Sequence, residues 1–298
     1  MPSGTGMFLS PTPLPEDIGE ERRLAIAQAV KELEALAGQG LLLKRPVFFV
    51  PGWTSESAVA WLQPYTPRNT PTKTWIDRIF RNAADCAVYV TLTEESPRCH
   101  SFYDFGQVVI EKIGARRPCD CVGHSMGGLD IAAAIALCEP PLLNVRNFIA
   151  FGSPLRGTEW GELRVTLRKL LPKLLPYLLD QAKSMDPDQP FIQRLRSPES
   201  LRRLLSRAQQ IYSLYGTRDM AVRRSPKISY KDLDPNWQGA DPEAFKQQVR
   251  VIDIPGAEHT GSLGITQDPR AILWLVKILG ELPLPQAQLN HGYLFRSA

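Results

Sequence analysis

The fold is restricted most by a set of short apolar runs separated by helical patterns. Residues Pro46 to Val50 (PVFFV) form one such run, closed by Pro51 and Gly52. It lacks polar–apolar alternation, as expected for a strand covered on both faces. Similar runs recur at 85–92 (DCAVYVTL), 119–122 (CDCV), 145–151 (VRNFIAF), 210–215 (QIYSLY) and 249–254 (VRVIDI). Between them, 73–83, 101–113, 126–137 and 269–279 carry helical patterns. This succession predicts an α/β fold, a mainly parallel sheet of about six strands flanked by helices. A leading amphipathic helix is expected over 20–37, with Leu24, Ala27, Val30, Leu33 and Leu36 in helical register and Gly38 and Gly40 ending it.

With 43% hydrophobic and 22% charged residues, the 298-residue chain has the apolar surface to bury a core. The net charge of +4 is too small an excess to indicate a nucleic-acid partner without clustering. No apolar run reaches the roughly 18 residues that a membrane-spanning helix requires. The first 18 residues are rich in Pro and Gly and lack a basic start followed by an apolar stretch. The expectation is therefore a cytoplasmic protein, or a secreted one whose signal has been removed. Cys86, Cys99, Cys119, Cys121 and Cys138 are odd in number, and three lie in apolar stretches, so buried reduced thiols are expected. The spacing of Cys119 and Cys121 fits neither a redox C-x-x-C pair nor half a zinc site, and only four histidines are present; no metal and no cofactor are expected.

One interval is longer than a single crossover helix needs, and residues 155–208 are read as a helical cap or lid insertion. Leu163, Leu167, Leu170, Leu171, Leu174, Leu175, Leu178 and Leu179 fall on one broad helical stripe, with Arg164, Arg168, Lys169 and Lys173 opposite. Pro172 and Pro176 interrupt that stripe, so a kink or two helical pieces are expected. The interval holds eleven Lys and Arg against six Asp and Glu, a balance of +5 that exceeds the net charge of the whole chain. The organisation expected is an N-terminal arm and helix over 1–45, one main domain over 46–280 containing this insertion, and an irregular tail over 281–298.

Residues Gly123 to Gly127 (GHSMG) match G-x-S-x-G between an apolar strand and an Ala-rich helix. In that context a sharp strand-to-helix turn presents the serine in a strained conformation, and the glycines let the backbones pass closely. A serine hydroxyl is a poor nucleophile unless a base stands within hydrogen-bond reach and a third group fixes the base's tautomer. His124 lies inside the turn, where its side chain is expected to point away from Ser125; His100 precedes the serine and His291 lies in the tail. His259 follows the last strand run and precedes the last helix, at the strand C-terminal edge where open sheets bind ligands. Asp219, just past the strand at 210–215, is the carboxylate expected to orient it. Asp253 lies within a strand pattern too near His259, and Asp186 and Asp188 read as turn residues. The oxyanion donors expected are the backbone N–H groups of Met126, at the start of the helix, and Trp53, in the loop after the first strand.

The stretches 50–53 (VPGW), 122–128 (VGHSMGG), 151–158 (FGSPLRGT), 185–195 (MDPDQPFIQRL), 215–219 (YGTRD) and 256–260 (GAEHT) resemble the α/β-hydrolase superfamily. More narrowly, they resemble serine esterases and lipases of the bacterial lipase and GPI-inositol-deacylase-like branch. Pro51 departs from that pattern, standing where such proteins commonly carry histidine. The resemblance implies that Ser125, Asp219 and His259 form a triad in the superfamily's chain order, with Trp53 and Met126 at the oxyanion positions. It implies hydrolysis of carboxylic esters through a Ser125 acyl-enzyme, with a substrate of medium or longer acyl chain under the leucine-rich segment. As a lid, that segment would turn its leucines toward a lipid surface, giving transient contact with a membrane or lipid droplet; as a fixed cap it would only shape the acyl pocket. The competing expectation is an inactive scaffold that binds a lipid or protein partner through the basic insertion.

Overall fold

The computed structural model describes residues 19–52, 58–67, 69–92, 94, 99, 101–114, 118–155, 157–158, 184–219, 222, 247–261 and 264–284. The elements run in the order α1 (Glu20–Gln39), β1 (Val47–Val50), α2 (Thr72–Ile79), β2 (Ala87–Tyr89), α3 (Phe102–Ile113), β3 (Cys119–His124), α4 (Met126–Ala136) and β4 (Val145–Phe151). They continue with α5 (Pro190–Leu195), α6 (Pro198–Arg207), β5 (Ala208–Gly216), β6 (Val249–Ile254) and α7 (Pro269–Leu279). The strands form one parallel sheet in the order β2-β1-β3-β4-β5-β6.

Both faces of the sheet are covered, which explains the apolar runs without alternation. Phe48, Val50, Cys121, Phe148, Ala150 and Ile211 point to one face, into a core shared with α3, α4, α5 and α6. Val47, Phe49, Val122, Ile149, Tyr212 and Leu214 point to the other, against α1, α2 and α7. Successive side chains of a strand therefore feed two separate cores. Helix α4 is buried along its whole length between the sheet and its helical neighbours, and Ala132, Ala133, Ala134 and Ala136 let those neighbours approach closely. Helix α3 begins with a capping box: Ser101 Oγ accepts from the Asp104 N–H at 3.3 Å, and Asp104 Oδ2 accepts from the Ser101 N–H at 2.8 Å. At the opposite end of the sheet from the site, buried Asp120 ties β3 to β4 and to the segment before β1. Its Oδ1 accepts from the Asn147 N–H and Nδ2, and its Oδ2 from Arg45 Nε.

The segment read as a 155–208 insertion divides. Residues 156 and 159–183, with the leucine stripe from Leu163 to Leu179, lie outside the described residues. From Ser184 to Ala208, Met185, Ile192, Leu195, Leu201 and Leu204 are buried in the same core as α4, and α6 runs directly into β5. All five cysteines carry free thiols. Among the described residues no helix is long and apolar enough to cross a membrane.

The strand order reverses at β1. The chain leaves β1 for β2 on one side and returns to β3 on the other, opening a crevice beyond the C-terminal ends of β1 and β3. Gly52 and Ser125 stand at that crevice.

Candidate active site

Ser125 sits between β3 and α4 with φ 53° and ψ −124°, a region that side-chain-bearing residues avoid. The surrounding backbone holds it there. Ser125 donates its N–H to Phe151 O at 2.9 Å, and its carbonyl accepts from the Gly128 N–H at 3.2 Å. The two flanking glycines are required by crowding. A Cβ on Gly123 would lie 2.6 Å from Gly128 N, and one on Gly127 would overlap Pro51 O and lie 2.6 Å from Val50 O. Gly52 packs equally close, since a Cβ there would lie 2.9 Å from Ser125 Cβ. The loop after β1 thus passes directly against the serine.

Met126 is the first residue of α4, so its N–H has no acceptor in the preceding turn and stands at the positive end of the helix beside Ser125. Trp53, the second expected oxyanion donor, lies outside the described residues, as do Leu163, Leu167, Leu170, Leu171, Leu174, Leu175 and Leu178 of the acyl-pocket expectation and the two histidines His100 and His291.

The structure brings Ser125, His259 and Asp219 together. His259 Nε2 lies 2.8 Å from Ser125 Oγ, and His259 Nδ1 lies 2.8 Å from Asp219 Oδ2. Two loops at the C-terminal edge of the sheet present the pair. Asp219 closes a turn after β5 through its N–H to Gly216 O, and its Oδ1 accepts from the Val222 N–H at 2.9 Å. The His259 loop, between β6 and α7, is tied on one side by the Arg218 N–H to Ala257 O and on the other by the Ile265 N–H to Glu258 O. Gly152, with φ 53°, forms the floor: a Cβ there would lie 3.0 Å from Asp219 Oδ2 and 3.2 Å from His259 Nδ1.

Electrostatics polarise this chain of contacts. Burial alone would lower the His259 pKa, but the charge and hydrogen bond of Asp219 outweigh it and the pKa is raised above its ordinary value. Burial would likewise raise the Asp219 pKa; the charge and hydrogen bond of His259 win again, and the carboxylate stays ionised below its ordinary value. The competing acids are placed as turn and strand residues. Asp253 belongs to β6, and Asp186 Oδ1 accepts from the Asp188 N–H at 3.0 Å.

His124 is the residue whose part the sequence reading missed. Its ring lies beside that of His259, centroids 5.0 Å apart, and its Nε2 stands 3.2 Å from the His259 carbonyl oxygen. Burial above all, with the neighbouring His259 ring, pushes its pKa down to about 3. The contact joins residues 135 positions apart, and the only local signal was an aromatic ring placed inside the turn.

A crevice at the strand-order reversal, with a strained serine on the turn after β3, defines the class of protein. Residues 47–273 match the family model described as "Alpha/beta hydrolase family", and the chain belongs to that family. No curated protein matches the chain. Among solved structures it is similar to Bacillus licheniformis lipase BlEst2 in mature form, with 16% identity, a TM-score of 0.50, and 81% of this chain and 93% of that chain covered. It is also similar to Aspergillus fumigatus lipase B, with 16% identity, a TM-score of 0.52, and 84% of this chain and 56% of that chain covered. The propeptide form of the Bacillus lipase aligns at 16% identity and a TM-score of 0.50 over 83% of this chain. The chain spans 52% of that longer form, and therefore about half the length of two of these structures. At such identities the likeness describes the fold.

Proposed function

We propose that the protein is a serine hydrolase that cleaves carboxylic esters through a Ser125 acyl-enzyme. The observation that carries this reading is the continuous contact from Asp219 Oδ2 through the His259 ring to Ser125 Oγ, 2.8 Å at each step, on a serine held at φ 53°. In that arrangement His259 Nε2 takes the proton of the Ser125 hydroxyl as the oxygen attacks the acyl carbon. Asp219 keeps the other proton on Nδ1 and stabilises the imidazolium that forms. The negative charge on the acyl oxygen develops next to the first N–H of α4, that of Met126, where a helix start favours it. His259 then passes its proton to the leaving alcohol, activates a water, and the acid is released with Ser125 restored.

The leucine-rich segment 163–179 supports a medium or longer acyl chain, and its basic residues support transient contact with a membrane or lipid-droplet surface. Hydrolysis of p-nitrophenyl esters from short to long acyl chains, with Ser125→Ala in parallel, tests the reading. Turnover is expected in the wild type, rising beyond the shortest acyl chains, and should be lost in the variant. A wild type that turns over none of the series, or a variant that keeps its rate, would overturn the proposal.

A further inference from the structure

Hydrolysis as described uses one of the two histidines at the site and leaves His124 without a task. Yet His124 is 6% exposed, and three features of its surroundings are specific. Its Nε2 faces the His259 carbonyl oxygen, which can only accept, so that nitrogen carries the hydrogen and Nδ1 is bare. The ring's Nδ1 side faces Gly52, where a Cβ would lie 3.3 Å from it. Beneath it, Trp61 meets the ring edge-on at 6.1 Å and packs against Phe49 and Phe151, so the ring's orientation is enforced by a buried aromatic cluster.

We propose that His124 is a positioning residue that ties the loop carrying His259 to the strand end carrying Ser125, by donating from Nε2–H to the His259 carbonyl. The inference rests on the reading of Ser125 and His259 as nucleophile and base. The hydrogen bonds from Arg218 and Ile265 hold the two residues before His259, Ala257 and Glu258, and the Asp219 contact holds only its ring. His124 holds the remaining point, the His259 main chain. Since His124 directly precedes Ser125, nucleophile and base are thereby referred to one strand end, and a small drift of the base would break the alignment that proton transfer requires. Neutrality matters as well. When His259 takes the serine proton, a cation forms with its ring centroid 5.0 Å from that of His124, and a buried uncharged imidazole adds no repulsion there.

A structural role in packing alone makes a different prediction, so two replacements separate the ideas. His124→Phe keeps an aromatic ring against Trp61 and removes the donor; His124→Gln gives up the ring and places an amide N–H near the Nε2 position. Per active site, counted by the p-nitrophenol burst, the Phe variant should lose about 10- to 100-fold in kcat with KM little changed. The Gln variant should recover most of that loss. Hydrogen exchange of the 255–261 backbone supplies a readout independent of turnover, expected to be faster in the Phe variant and near wild type in the Gln variant. A Phe variant with wild-type kcat and wild-type exchange overturns the proposal and would mean packing, as do equal defects in both variants, since an N–H at the Nε2 position would then restore nothing. Turnover surviving Ser125→Ala would instead sink the hydrolytic reading, while the exchange comparison would still decide whether His124 holds the loop.

Discussion

Replacing Asp219 with Asn changes few atoms and should abolish most of the turnover, because the structure dictates which way the amide must face. Asp219 is buried, its Oδ1 accepts from the Val222 N–H at 2.9 Å, and its Oδ2 meets His259 Nδ1 at 2.8 Å. An asparagine must present its oxygen to the Val222 N–H, since an NH2 group there would meet another donor. That leaves the NH2 facing His259 Nδ1, which must then be an acceptor, so the proton of the neutral ring moves to Nε2. The ring would now donate to Ser125 Oγ at the point where it has to accept. A base in the wrong tautomer is worth about 10,000-fold in kcat in serine proteases that share this geometry, or about 5.5 kcal/mol of barrier. The same loss is expected here, with KM little altered and with Tm close to wild type. The acid limb of kcat/KM should also move to lower pH, because the negative charge that raises the His259 pKa has gone. Steady-state kinetics on a p-nitrophenyl ester across pH, with thermal unfolding of both proteins, measures every term. Asp219→Asn turnover within tenfold of wild type would refute the assignment of the acid.

Three further outcomes follow from the structure. In the wild type, His259 acts only when neutral and its pKa is raised, so kcat/KM should rise with pH through a midpoint above the ordinary 6.5; a midpoint below 6.5 would contradict the Asp219–His259 coupling. Gly127→Ala drives a Cβ into the Pro51 carbonyl, which is backbone and cannot swing away, so a loss of about 1–3 kcal/mol and a Tm lowered by several degrees are expected along with loss of turnover. Wild-type Tm and rate in that variant would show that the loop after β1 is not pressed against the serine turn. Asp130, buried in α4 with neither carboxylate oxygen partnered among the described residues, has a pKa pushed well above the ordinary value by burial. The folded state therefore keeps a proton that the unfolded state releases, and stability falls as pH rises from the ordinary carboxylate range toward the folded pKa. Asp130→Ala should accordingly raise Tm, more at pH 8 than at pH 4, and a gain that shrinks with pH would be the wrong sign.

Much of the fold was legible because a parallel sheet covered on both faces writes itself as apolar runs. The runs at 145–151 and 249–254 coincide with β4 and β6, and the pattern at 269–279 with α7. Misreadings fall where neighbours decide. The stretch 85–92 supplies only three strand residues, since β2 lies at the edge of the sheet with one partner and Ala83–Cys86 is taken by a helical turn. Strand β3 runs on through Gly123 and His124, whose place in the ladder comes from pairing with Ala150 and Phe151 rather than from hydrophobicity. The site was legible through its chemistry, since a serine needing a base and a base needing an acid leave few candidates along a chain with four histidines. His124 was not, because the carbonyl it binds belongs to a loop brought near only by the folded sheet.

The pair His124 and His259 shows how far identity is from role. Both rings lie at the C-terminal edge of the sheet, that of His124 buried and that of His259 17% exposed, and burial lowers the pKa of each. What separates them is one carboxylate. Asp219 reaches His259 through a hydrogen bond and raises its pKa past the ordinary value, whereas His124 receives only its more distant charge and falls to about 3. At neutral pH, therefore, the His124 imidazole keeps its donor for the His259 carbonyl, while in the proposed reaction His259 gains and loses a proton beside Ser125. Exchanging those parts would need the carboxylate on the other side of the crevice, since the residue type does not distinguish the two and burial lowers the pKa of both.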